Sequence, residues 1–201
     1  FSKNYEIFNL PYLFASTQAY HSAMDDREIT DTIFTATEKA GFLAVTWLDA
    51  GTRNFYTVKK PIESPKDLKG LKIRVQQSPT NIEMMKLLGG SATPMGFGDV
   101  YTALQSNIID GAENNELAIT DNGHGDVCKY YSYDMHQMVP DILIGNLAFI
   151  EELTDEEREI FEEGYKLVNE IQREEWVKAV EAAKQKAENE QNVKFIYPDQ
   201  E

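Results

Sequence analysis

Leu71, Ile73 and Val75 alternate with Lys72, Arg74 and Gln76, and Ser78-Pro79 follows almost at once. Alternation at period two puts the aliphatic residues on one face of a strand. Serine then proline reads as an N-cap and first helical residue, because proline there gives up only a donor that the helix leaves unpaired. The helix carries Ile82, Met85 and Leu88 inward and stops at Gly89-Gly90. A second strand over Ala92 to Met95 leads to Asp99, an N-cap for a helix from Val100 to Ser106. Ile108-Ile109-Asp110 forms a third strand, ending in Gly111-Ala112-Glu113-Asn114-Asn115 before another helix start. Strands separated by helices imply α/β architecture with a mainly parallel sheet, since parallel neighbours need a crossover between them.

The flanking regions fit the same plan. Ile7 to Phe14 is apolar but interrupted by Pro11, which suits a buried loop better than a strand. Thr17 to Lys39 has helical spacing and ends at Gly41, before a short buried strand from Phe42 to Leu48. Thr52 to Val58 reads as a further strand, and Lys59 to Pro65 as a proline-punctuated connector. Ile142 to Ile150 supplies one more apolar strand. Thr154 with Glu157 three residues later resembles a capping box, and a helical pattern then runs to about Glu190. A helix of about 30 residues is about 45 Å long, more than one small domain needs. Either it bends near Glu170 or it lies across more than one domain. Val193 to Tyr197 closes the chain as a strand.

Composition narrows the partners. The 201 residues include 34 acidic and 19 basic side chains, a formal net charge of −15. That balance argues against nucleic acid and against anionic membrane surfaces, both of which need a positive face. One cysteine, Cys128, makes neither an internal disulfide nor a multi-cysteine metal cage. No apolar run approaches the ~18 residues of a membrane span. The chain opens Phe1-Ser2-Lys3 without an initiator Met or a basic-then-apolar leader, so a processed or longer parent protein is expected.

Arg74 is the most informative position. It ends a strand just before a capped helix, the edge where open α/β sheets bind ligands. A guanidinium there offers a planar fork suited to a carboxylate, unless it merely pairs with one of the many surface acids. Asn114 and Asn115 hold the corresponding place after the third strand, as hydrogen-bonding groups or as a helix N-cap. Arg53 is a second anion candidate, and Phe97, between two glycines, either walls a pocket or covers the core. His124, Cys128 and His136 fit no zinc spacing, and structural roles are expected for all three. Asp110 with Glu113 is the one pair that an acid–base enzyme would use. Neither a nucleophile elbow nor a phosphate-cradling glycine motif occurs.

Four ordered motifs carry a family likeness: Asp67-Leu68-Lys69-Gly70-Leu71-Lys72-Ile73-Arg74-Val75, Thr93-Pro94-Met95, Asp99-Val100-Tyr101-Thr102-Ala103-Leu104-Gln105 and Asp110-Gly111-Ala112-Glu113-Asn114. Together, and with Ile7 to Phe14 upstream, they resemble the solute-binding proteins of tripartite ATP-independent periplasmic (TRAP) transporters. The resemblance implies a two-lobed, hinge-closing α/β protein, with a mainly parallel sheet in each lobe and a long lobe-spanning C-terminal helix. Residues 1–51 and 140–170 then form the remainder of lobe I, whose N-terminal portion is expected to be missing. Residues 52–139 form lobe II with the ligand clamp, 154–190 the long helix, and 191–201 the closing strand and tail.

The resemblance also implies that Arg74 forms the main salt bridge to a ligand carboxylate, that Asn114 hydrogen-bonds the ligand and that Phe97 packs on it. Arg53 contributes in some members, and Gln77 lies where some place a polar contact. Asn114-Asn115, with Tyr133, His136 and Pro140, is similar to members that take hexuronates. A monomeric binder of a small organic acid follows, handing its ligand to membrane permease subunits and working free in a periplasm or lipid-tethered outside the cell. No catalytic residue, metal or cofactor is expected. The rival readings are an α/β lyase or isomerase using Asp110 or Glu113, and a partner-binding module built on the acidic long helix.

Overall fold

The computed structural model of the chain describes residues 3–198. After a 3-10 segment, Lys3–Asn9, come α1 (Thr17–Asp25), α2 (Arg27–Phe34), β1 (Phe42–Leu48), β2 (Arg53–Thr57), β3 (Lys72–Val75), α3 (Pro79–Leu87) and β4 (Ser91–Pro94). The chain continues through α4 (Val100–Gln105), β5 (Gly111–Asn114), α5 (Leu117–Thr120), β6 (Tyr130–Gln137) and β7 (Asp141–Asn146). It ends with α6 (Leu147–Glu152), α7 (Asp155–Gln191) and β8 (Lys194–Ile196).

Two compact units emerge. One comprises residues 1–8, 13–51 and 138–178; the other comprises 9–12, 52–137 and 179–201. The long helix α7 is a single 37-residue element that contributes to both. Its start matches the sequence: the Thr154 N–H donates to Glu157 Oε2 at 2.9 Å, and the Glu157 N–H donates back to Thr154 Oγ1 at 3.3 Å. Among the described residues no helix is long and apolar enough to cross a membrane.

The second unit is built on a six-stranded sheet in the order β4-β3-β5-β2-β6-β8. β3 pairs in parallel with β4 and β5, across the crossovers that α3 and α4 provide, and β8 is parallel to β6. β2 runs antiparallel to both β5 and β6. Pro94 sits on β4 at the edge, where a missing donor is tolerated. Successive β2 side chains go to opposite faces: Tyr56 joins Leu104, Ile109, Ile119 and Tyr131, while Phe55 joins Ile73, Val75, Met84 and Met85. Each such buried side chain contributes about 1.5–3 kcal/mol relative to exposure.

Several elements depart from the sequence reading. The described residues of the first unit do not form a mainly parallel sheet: β1 and β7 make a two-stranded antiparallel pair, and β7 stops at Asn146, where α6 begins, instead of running on to Ile150. Asn146 starts that helix by accepting the Phe149 N–H at 3.1 Å. The helix expected over Thr17 to Lys39 breaks at Asp26, whose extended backbone (ψ 109°) lets its carboxylate cap α2 through the Glu28 N–H. Around Phe8 the chain coils as 3-10 helix, with Phe8 buried but Ile7, Leu10 and Tyr12 exposed.

Within the second unit, Ser78 caps α3 and Met85 points inward as read, but Met84 joins it in the core while Ile82 is exposed. Asp99 adopts helical angles inside a 3-10 turn and makes no side-chain cap. The third strand starts at Gly111, where Ile108-Ile109-Asp110 was expected to end it. Asn107, at φ 55°, turns the chain first, and only then does β5 slide between β3 and β2. A Cβ at Gly111 would stand 2.4 Å from the Tyr56 carbonyl oxygen and 3.1 Å from Ile73 Cδ1.

Gly111→Ala is therefore expected to destabilise the protein by at least about 1–3 kcal/mol in a denaturant titration, as overpacking against a fixed backbone does. Gly164, inside α7 with nothing near its missing Cβ, gives the opposite sign. Gly164→Ala should stabilise by about 0.5–1 kcal/mol.

Candidate functional site

β3 ends with Ile73, Arg74 and Val75, all buried, so Arg74 is no surface arginine. Its side chain is 4% exposed, and both Nε and Nη2 donate to the Met95 carbonyl oxygen, at 3.2 and 2.9 Å. Parallel pairing sets this up: Arg74 lies opposite Thr93, and the chain leaving β4 brings Met95 and then Phe97 alongside. The guanidinium carbon is 5.6 Å from the centroid of the Phe97 ring, within reach of a cation–π contact. Phe97 is 39% exposed and covers the site instead of filling the core. Burial pulls the Arg74 pKa below the usual arginine value, and Glu113 offsets only part of that. Among the described residues no carboxylate forms an ion pair with Arg74.

Arg53 is arranged in the opposite way. It starts β2, and antiparallel register sets Asn54 against Asn114, the last residue of β5. All three guanidinium nitrogens are committed: Nε to Glu113 Oε2 at 2.5 Å, Nη2 to the Glu113 carbonyl at 2.9 Å, and Nη1 to Asn114 Oδ1 at 3.1 Å. Burial alone would raise the Glu113 carboxyl, but Arg53 and then His136 outweigh it and hold the group down at about 2. Asn114 Oδ1 also accepts the Asn115 backbone N–H at 2.9 Å. With that oxygen engaged twice, the Asn114 amide N–H groups are what remains to offer a ligand.

A bulge in β6 supplies the other side of the ion network. Register jumps between the Arg53–Gln137 and Phe55–Ser132 pairs, and Met135 takes a left-handed φ of 48°. Asn54 pins the bulge by accepting the Met135 N–H at 2.8 Å, and Asp134 accepts the Phe55 N–H at 2.9 Å. His136 is thereby turned inward: Nδ1 lies 2.6 Å from Asp134 Oδ2, Nε2 lies 3.6 Å from Glu113 Oε2, and the ring stacks on Phe55 at 4.5 Å. At 3.6 Å the second contact is an ion pair without a hydrogen bond. The ring has no exposed surface, so it acts on the site through Glu113 and Arg53. Burial would lower its pKa, yet Asp134 and Glu113 together push it up to about 9.

The structure thus gathers Arg74, Phe97, Asn114 and Arg53 at one edge of the sheet, with His136 sealed behind them. Asn115 follows directly and opens the turn into α5, its carbonyl accepting the Ala118 N–H. Gln77 is exposed beyond β3 and does not join the group; its neighbour Gln76 accepts from Asn81 Nδ2 at 3.1 Å. Asp110 and Glu113 make no acid–base pair. Asp110 accepts the Lys72 N–H at 2.9 Å, and a carboxyl held near 2 is a poor base at neutral pH.

His124, to which the sequence reading gave only a structural role, also stands here, its ring 5.5 Å from Phe97 and its Nδ1 2.8 Å from the Tyr56 hydroxyl. No local pattern marks it, because the loop holding it meets Phe97 only through the fold. Cys128 is buried in the core beneath, its thiol pushed up to about 12 by burial. Among the described residues no three His, Cys, Asp or Glu side chains gather as a metal site. A cavity of about 600 Å³ lies elsewhere, in the first unit between Trp47, Tyr165 and Arg173, and none of the candidate residues borders it.

The model of the family described as bacterial extracellular solute-binding protein, family 7, matches residues 1–201. An uncharacterized protein, YiiZ, of Salmonella typhimurium is 45% identical over 195 residues, which are 97% of this chain and 60% of that protein. A crystal structure of a TRAP periplasmic solute-binding protein from Anaerococcus prevotii, with bound α/β D-glucuronate, superposes with a TM-score of 0.92 at 68% identity. The match covers 98% of this chain and 63% of that one. A TRAP periplasmic solute-binding protein from Chromohalobacter salexigens, with bound D-glucuronate, gives 0.91 at 34% identity, covering 96% of this chain and 64% of that one. The chain therefore spans under two thirds of the length of these relatives.

The buried network makes stability depend on pH in a defined direction. His136 is protonated more readily when folded, so its contribution is fully present below its unfolded value of about 6.5 and is lost as pH rises through about 9. Calorimetric melting should fall across that window in the wild type. His136→Gln should melt lower at pH 6 and show a flatter profile between the two values.

Proposed function

The chain belongs to the bacterial extracellular solute-binding proteins of family 7, and from that premise we propose that it captures a small sugar acid, a hexuronate such as D-glucuronate, by a salt bridge from Arg74 to the ligand carboxylate. The observation that carries this reading is the state of Arg74. A guanidinium 4% exposed, in a chain of net charge −15, has a carbonyl for its partner and no carboxylate among the described residues. An unpaired buried charge is costly, and a bound anion removes that cost. Nε and one Nη2 hydrogen are spent on Met95, so the Nη1–Nη2 end is the fork left for a carboxylate.

The remaining roles follow from position. Asn114 offers its amide N–H groups, Phe97 gives an apolar face for the sugar ring, and Arg53 holds Asn114 in place. Asn115, next to Asn114, borders the entrance, and His136 fixes Glu113. In this reading unit 2 is the lobe with the clamp and unit 1 the remainder of the other lobe. Uronate-bound relatives at 68% and 34% identity support the ligand class. As a family member the protein works outside the cytoplasm, in a periplasm or on the outer cell face. It passes its acid, chemically unchanged, to the permease subunits of a TRAP transporter.

Thermal-shift screening of the intact protein against uronates, aldonates and dicarboxylates tests the ligand class. At about 100-fold excess over Kd a true ligand adds about 2.7 kcal/mol, a clear rise in melting temperature, and no rise with any carboxylate would sink the proposal. Arg74→Lys keeps the charge but not the fork, so it should lose most of the affinity. Near-native binding by that variant would remove Arg74 from the clamp.

A further inference from the structure

Beside Arg74 stands one polar group that the sugar-acid site has not yet used. His124 is 2% exposed, and its Nδ1 lies 2.8 Å from the hydroxyl of Tyr56, itself 1% exposed. This is the Tyr56 hydroxyl's one hydrogen bond among the described residues. Were the proton on Nδ1, the tyrosine hydrogen would be left in the core without an acceptor, a strongly disfavoured arrangement. Tyr56 therefore donates, Nδ1 accepts, and the neutral ring carries its proton on Nε2. The ring stays neutral because burial, and then the charge of Arg74, push its pKa down to about 4.

That leaves an Nε2–H donor with no acceptor among the described residues, on a ring 5.5 Å from Phe97. Phe97 is the same ring that Arg74 overlies at 5.6 Å, so a charged and an uncharged donor flank one partly exposed aromatic. We propose that His124 is a further ligand-contacting residue, whose Nε2–H donates to an acceptor oxygen of the sugar acid that Arg74 holds by its carboxylate. The inference rests on the sugar-acid reading of the site and adds a specificity element to it. Arg74 demands a negative charge, whereas His124 demands an oxygen lone pair without adding charge. A ligand presenting an ammonium group at that point would set donor against donor and be rejected.

Two substitutions separate contact from scaffold. His124→Asn keeps an oxygen near the Nδ1 position for Tyr56 and removes the distal N–H; His124→Gln keeps an amide N–H near the Nε2 position. Isothermal titration of the intact protein with D-glucuronate at pH 7 should find His124→Asn about threefold to tenfold weaker, the range of one neutral hydrogen bond, and His124→Gln largely restored. Wild-type binding with an unchanged Asn variant, or with equal loss in both variants, overturns the contact and leaves the sugar-acid reading standing. No glucuronate binding by the wild type overturns both. Long-range proton–nitrogen NMR of the wild type is independent of any variant. It should find the Nε2-protonated tautomer without ligand and a moved Nε2–H resonance with glucuronate; the Nδ1 tautomer, or an unmoved resonance, overturns the proposal.

Discussion

Arg74 is a cation withdrawn from water with a carbonyl at its side instead of a carboxylate, and its surroundings keep it in that state. Moving an ion out of water costs several kcal/mol even after relaxation, and a single carbonyl dipole offsets only part of that. With 34 acidic side chains in the chain, the missing partner does not reflect scarcity. The nearby carboxylate is Glu113, and Arg53 and His136 already bind it. The Arg53–Glu113 pair thus works as a neutralised block that leaves Arg74 unsatisfied. In the proposed reading an anion completes the site.

The sheet explains how these groups meet. Arg74 lies near the carboxyl end of β3, Phe97 follows β4, and Asn114 ends β5, which is the ligand-binding edge of parallel strands. β2 breaks the parallel pattern, and the break is useful. Because it runs antiparallel to β5, its first residue, Arg53, arrives at the same edge as the last residues of its neighbour. The bulge in β6 then rotates His136 and Asp134 behind Glu113. A uniformly parallel sheet would place Arg53 at the far end from Asn114.

Local signals were legible in the sequence and long-range ones were not. Ser78-Pro79 and Thr154 with Glu157 announce helix starts because the groups involved sit within three residues of one another. Arg74 was legible for a similar reason, as a charged residue on an alternating strand just before a capped helix. Strand direction in β2 and β7, and the late start of β5 at Gly111, depend on partners far away along the chain. Arg53 reads as a second anion contact, but its pairing with Glu113, 60 residues on, leaves no local trace. His136 carried no hint that two carboxylates would enclose it, and His124 met Phe97 only through a loop crossing.

If Arg74 waits for a carboxylate, then the ligand's charge, and not the sugar's shape, dominates affinity. Isothermal titration comparing D-glucuronate with D-glucuronamide measures that directly, because the two differ only in replacing the carboxylate by a neutral amide of nearly equal size. The account predicts that glucuronate binds at least about 100-fold more tightly, as expected when one partner of a buried ion pair is lost. Comparable affinities for the acid and the amide would contradict it.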